Sequence, residues 1–124
     1  MPEEIRRVGA SFRHALSGLK YVIRNERNFQ IEVVIGFFIL MLIFIFKIKN
    51  WQAIILILMI MWVLVMELAN TAVERVVDIL KPRVHPYARL IKDIMAAVVL
   101  ISSIGAAIVG VIVLYPYFRD LFMF

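Results

Sequence analysis

Four polar residues at the end of an apolar run carry the chemistry of this sequence. Glu67, Asn70, Glu74 and Asp78 follow one another at spacings of three, four and four. On an α-helix they fall within roughly 80° of one another, on one face. Ionisable groups at membrane depth cost roughly 2.5–3.5 kcal/mol each even on insertion scales. Three carboxylates and an amide where a membrane helix leaves the hydrocarbon therefore have two explanations. Either the ridge is a solvated continuation of the helix, or it binds something cationic. The second explanation specifies a divalent cation with a polyanionic ligand, and one carboxylate left over as a base. An all-oxygen set, Glu26 and Glu74 with their neighbours, suits magnesium, which usually takes one or two carboxylates plus phosphate oxygens. Phosphoryl transfer then needs positioning, charge neutralisation and a base near the acceptor hydroxyl. Glu67 is the first charge after the uncharged residues 53–66. It stands at the depth where a lipid alcohol presents its hydroxyl.

The elements that must position this ridge are membrane helices. The chain has 124 residues and a mean hydropathy of +0.94, too apolar for a soluble domain of this size. Apolar runs at 33–46, 51–66 and 94–118 give three spans. The first two fall somewhat short of the ~20 residues that cross a bilayer, but both have flanks able to extend the helix. We place the spans at about 29–47, 50–70 and 93–115, with the second helix continuing to Leu80 and ending before Pro82. Residues 5–24 form an amphipathic surface helix instead. Ile5, Val8, Phe12, Leu16, Leu19 and Ile23 recur at helical spacing among basic residues. No cleavable signal peptide is expected ahead of the spans. The fold class is all-α integral membrane, a single domain over 1–124.

Six of the 14 Lys and Arg precede the first span and five more lie between the second and third. The positive-inside rule then puts the N-terminus and the loop 78–93 in the cytoplasm, and the C-terminus outside. The ridge thus faces nucleotides and magnesium. Other classes are excluded or disfavoured by what the sequence lacks. There is no cysteine for disulfides or thiolate chemistry, no Gly-rich phosphate loop and no HExxH. His14 and His85 have no serine nucleophile in a recognisable context. Topology explains the basic residues, and no aromatic stacking module points to nucleic acid. Glu26 and Glu32, at the entry to the first span, are either boundary charges or further ligands of the cation site. Lys92 and Asp93 either pair with each other or meet a nucleotide. In the third span Ser102, Ala106 and Gly110 form a small-residue stripe suited to helix packing. A non-catalytic small membrane protein is the alternative; the intact Glu26, Glu67, Asn70, Glu74 and Asp93 argue against it.

The stretch ELANTAVERVVD at 67–78 resembles the signature E-x-x-N-[ST]-A-[IV]-E-x-V-V-D of the prokaryotic integral-membrane diacylglycerol kinase and undecaprenol kinase family. NERNF at 25–29 and HPYARLIKD at 85–93 match at the expected spacing, and Gly18-Leu19 also fits. The resemblance covers almost the whole chain. It implies a homotrimer that phosphorylates a membrane lipid alcohol, undecaprenol or diacylglycerol, with ATP and Mg²⁺. It implies Glu67 as general base and Glu26 and Glu74 as magnesium ligands. Arg7, Glu26, Asn70, Glu74, Asp78, His85, Lys92 and Asp93 would bind nucleotide, and Glu67 and Ala96 would meet the lipid. His85-Pro86 and NERNF are more similar to the undecaprenol kinases of Gram-positive bacteria. In the run Ile94-Met95-Ala96-Ala97 the sequence departs from the family, which usually keeps a glycine there.

Overall fold

The computed structural model describes residues 2–80 and 86–123, all of them in four helices and their connections. Helix α1 spans Glu3–Asn25, α2 Arg27–Ile45, α3 Asn50–Leu80 and α4 Pro86–Phe122. The last three are long and apolar enough to cross a membrane. There is no strand among the described residues. Helix α3 ends at Leu80; residues 81–85, with Pro82 and His85, lie outside the described residues. Helix α4 continues past Pro116, which lacks an N–H and so omits one bond near the helix end.

Each connection has a local cause. Glu26 is extended, with φ −111° and ψ 109°, and this single residue separates α1 from α2. The corner is stitched by side-chain amides. Asn25 Nδ2 donates to the Tyr21 carbonyl at 2.8 Å, and Gln30 Nε2 donates to the Ile23 carbonyl at 2.7 Å. At the other end of α2, Lys47 takes a left-handed φ of 49°. Its N–H donates to the Phe44 carbonyl, and that of Ile48 donates to the Ile43 carbonyl. These are the two bonds of a Schellman cap, and burial of Ile48 supplies its apolar contact. The cap offsets the ~1–2 kcal/mol that a left-handed non-glycine residue costs. The turn returns α3 antiparallel to α2.

The apolar core lies at the end of the bundle next to this turn. Leu42, Ile48, Leu56, Val113 and Leu114 pack together, joined by Phe46, Tyr117 and Phe118. The Tyr117 hydroxyl donates to Gln52 Oε1 and accepts from the Lys49 N–H, so α4 is tied to the start of α3. Gly36 lets α2 approach α3: a Cβ there would stand 3.0 Å from Ile60 Cγ2. Gly36→Val is expected to cost about 1–3 kcal/mol by overpacking, measured as a lowered unfolding temperature in detergent.

The apolar face of α1 is not covered by the chain itself. Ile5, Val8, Phe12, Leu16, Leu19 and Ile23 are all exposed. An amphipathic helix with an unburied apolar face fits a membrane surface.

Candidate active site

The ridge lies along α3 toward the end opposite the core. Its deepest member is the most buried: Glu67 keeps 1% of its surface, and Thr71, one turn further along α3, keeps 3%. Thr71 Oγ1 returns to the Glu67 carbonyl at 3.0 Å, so the hydroxyl is satisfied by the helix itself. Asn70 stands one turn along α3 from Glu67 and its side chain favours the charged form of that carboxylate. Glu67 Oε2 and Asn70 Oδ1 remain buried without a partner among the described residues. Burying unsatisfied polar oxygens is costly, so these atoms call for a proton, a cation or a donor from outside the chain.

Two further carboxylates act electrostatically on Glu67: Glu74, two turns on, and Glu26 from the α1–α2 corner. The extended backbone at Glu26 turns its side chain onto α3. There its Oε1 accepts from Arg75 Nη2 at 2.5 Å. Arg75 Nε also donates to the Tyr21 hydroxyl at 3.1 Å, with the guanidinium 5.8 Å from the centre of that ring. Glu32, one turn into α2, interacts with Glu67 as well. Its Oε2 is buried and unpartnered among the described residues.

Glu26, Glu67, Asn70 and Glu74 are thus brought together in one chain. Lys92 is held elsewhere: its ammonium pairs with Asp78 Oδ1, fourteen residues earlier, linking α4 to the end of α3. The Lys92–Asp93 pairing considered from sequence is replaced by this one, and Asp93 is exposed. Arg7 lies on the exposed part of α1, 4.0 Å from Glu3, and the single chain does not carry it to the ridge. Ala96 is exposed on α4 and Met95 is half-buried. His85 is outside the described residues.

In the sequence Arg75 is one of the basic residues that set topology, and Tyr21 carries no signal of its own. No spacing signal identifies them, because the corner at Glu26 is what brings α1 against α3. Glu32 carries a signal, a carboxylate inside an apolar helix, but its spacing does not distinguish a boundary charge from a ligand.

The donor chemistry is uniform. Carboxylate and amide oxygens fit a hard divalent cation that keeps phosphate oxygens and water as its other ligands. Among the described residues, no three His, Asp or Glu side chains form a closed metal cage.

Three membrane-length helices with an acidic ridge at one end define a helical membrane enzyme site. The model of the family described as prokaryotic diacylglycerol kinase matches residues 13–114, and the chain belongs to that family of lipid kinases. It is 32% identical over 113 residues to an undecaprenol kinase of Bacillus subtilis, covering 91% of this chain and 92% of that protein. It is 35% identical over 107 residues to a diacylglycerol kinase of Synechocystis sp., covering 86% of this chain and 61% of that protein.

Proposed function

We propose that this kinase transfers the γ-phosphate of ATP to the hydroxyl of a membrane lipid alcohol, undecaprenol or diacylglycerol, in a magnesium-dependent reaction at the cytoplasmic face. The observation that carries this is Glu67, a buried carboxylate with an oxygen unpartnered among the described residues, standing beside Asn70 and in the field of Glu26 and Glu74. Glu67 accepts the proton of the lipid hydroxyl as that oxygen attacks the γ-phosphorus. Asn70 orients the Glu67 carboxyl. Glu26 and Glu74 would hold Mg²⁺, which supplies charge neutralisation across the phosphates when bound. Asp78, His85, Lys92, Asp93 and Arg7 belong to the nucleotide side, and Ala96 to the lipid side. The Lys92–Asp78 pair fixes the ammonium near the end of the ridge, where phosphate charge arrives. The N-terminus is cytoplasmic and the C-terminus outside, in a bacterial cell membrane.

Purified protein supplied with undecaprenol and diacylglycerol in parallel tests this function. ATP consumption is expected only with magnesium and a lipid alcohol together. The lipid with the higher kcat/KM is the substrate. Consumption indifferent to both lipids would refute the assignment.

The working form is proposed to be a homotrimer with sites shared between subunits. Two features of the single chain support it. Arg7 is left far from the ridge, on the exposed part of α1. A groove of about 570 Å³ also stays open between α2, α3 and α4, lined by Gly36, Ile60, Ala106 and Gly110. A Cβ at Gly110 would meet nothing within 4 Å, so part of the small-residue stripe is free to receive a helix of another copy. Because Glu26 and Glu67 share one chain and Arg7 would come from another, trimers mixed from Glu67→Ala and Arg7→Ala subunits are expected to regain part of the activity that each variant loses. No recovery after verified subunit exchange would place each site within one chain.

A further inference from the structure

Arg75 lies inside the signature yet has no part in the chemistry assigned so far. Its neighbours make it more than a topology charge. Nη2 is 2.5 Å from Glu26 Oε1, a carboxylate proposed above to hold the metal. Nε is 3.1 Å from the Tyr21 hydroxyl, and the guanidinium lies by the Tyr21 ring. Among the described residues, these contacts use two of its five N–H donors. The Arg75 side chain keeps 42% of its surface and that of Glu26 keeps 20%. The cation is therefore at the solvent side of the pair, and the carboxylate at the protein side.

We infer that Arg75, held by Glu26 and Tyr21 at the edge of the ridge, is a phosphate-binding residue that passes from Glu26 to the nucleotide polyphosphate when nucleotide and metal bind. This rests on the proposed kinase site and extends it. A carboxylate that takes up a divalent cation gives up most of its attraction for a guanidinium beside it. The displaced guanidinium then lies at the mouth of an acidic site into which a triphosphate is delivered. Planar guanidinium groups bind phosphate oxygens in a two-pronged fashion that lysine does not reproduce. Tyr21 serves as the pivot. Its hydroxyl and ring hold the Nε side of the group, leaving the Nη side to exchange Glu26 for phosphate. The same contact offsets the Glu26 charge and sets its carboxylate against α3, which positions it as a ligand.

Nucleotide affinity and metal affinity separate this role from a purely structural one. Wild-type, Arg75→Gln and Arg75→Lys proteins would be titrated with a fluorescent ATP analogue in magnesium, and separately with Mn²⁺ alone by electron paramagnetic resonance. Thermal stability would be measured on the same samples. Arg75→Gln is expected to weaken nucleotide binding about tenfold or more, with Mn²⁺ binding unchanged or tighter because Glu26 is released. Arg75→Lys is expected to restore only part of the nucleotide affinity. Unchanged nucleotide affinity in Arg75→Gln overturns the inference and leaves the kinase assignment standing. Joint loss of nucleotide binding, Mn²⁺ binding and thermal stability shows a structural tie and also overturns it. A wild-type protein that binds no nucleotide overturns both.

Discussion

Glu67→Gln is expected to lower turnover about 10²–10⁴-fold, the usual contribution of a positioned general base, while nucleotide affinity stays nearly intact. The amide keeps the shape of the carboxyl and loses its basicity. The environment makes the experiment clean. Glu67 is 1% exposed, so the substitution leaves the surface unchanged. Its Oε2 has no partner among the described residues, so no intramolecular bond is lost at that atom. Removing one of several neighbouring negative charges also relieves repulsion from Glu26, Glu74 and Glu32, which makes loss of folding less of a concern. A structural role would give another pattern: looser assembly and weaker nucleotide binding together. Turnover, ATP affinity and thermal stability measured on one Glu67→Gln preparation separate the two, and near-normal turnover would end the base assignment.

Glu26→Gln and Glu74→Gln are expected to reduce the rate strongly and to raise the magnesium concentration for half-maximal rate by about tenfold or more. Outer-shell substitutions alone typically cost 10–100-fold in metal affinity or activity, and a direct ligand contributes at least as much. The two variants differ in one respect. Glu26→Gln also removes the charged partner of Arg75 at the α1–α2 corner, so it should loosen the tie between that corner and α3. Glu74→Gln leaves the tie in place. Rate against magnesium concentration, fitted for both variants beside wild type, checks the metal role. An unchanged magnesium requirement in both would remove these residues from the metal site.

The helices and the ridge were legible in the sequence because their signals are periodic and local. Apolar runs of near-membrane length and carboxylates at spacings of three and four need no knowledge of tertiary contacts. Glu67, Asn70 and Glu74 therefore came out of the helical spacing alone. Contacts set by chain reversal were not legible. Only the extended backbone at Glu26 places that carboxylate, with Tyr21, against Arg75 on α3. Adjacency in sequence offers Asp93 as a partner for Lys92, yet the α3–α4 packing delivers Asp78 to it. The stripe Ser102, Ala106, Gly110 was recognisable as small, but its division was not. Ser102 is buried with its hydroxyl returned to the Val98 carbonyl at 2.8 Å, whereas Ala106 and Gly110 line the open groove.

The central claim is that the acidic ridge transfers phosphate from ATP to a lipid hydroxyl. Its most direct test follows the phosphorus itself. Purified protein in lipid-containing micelles would be given ATP labelled at the γ-position, and the lipid fraction would be extracted and counted. Labelled lipid phosphate is expected when magnesium and undecaprenol or diacylglycerol are both present, and is expected to fall to background when either is withheld. A lipid fraction without label under complete conditions, from protein shown to be folded, would contradict the account.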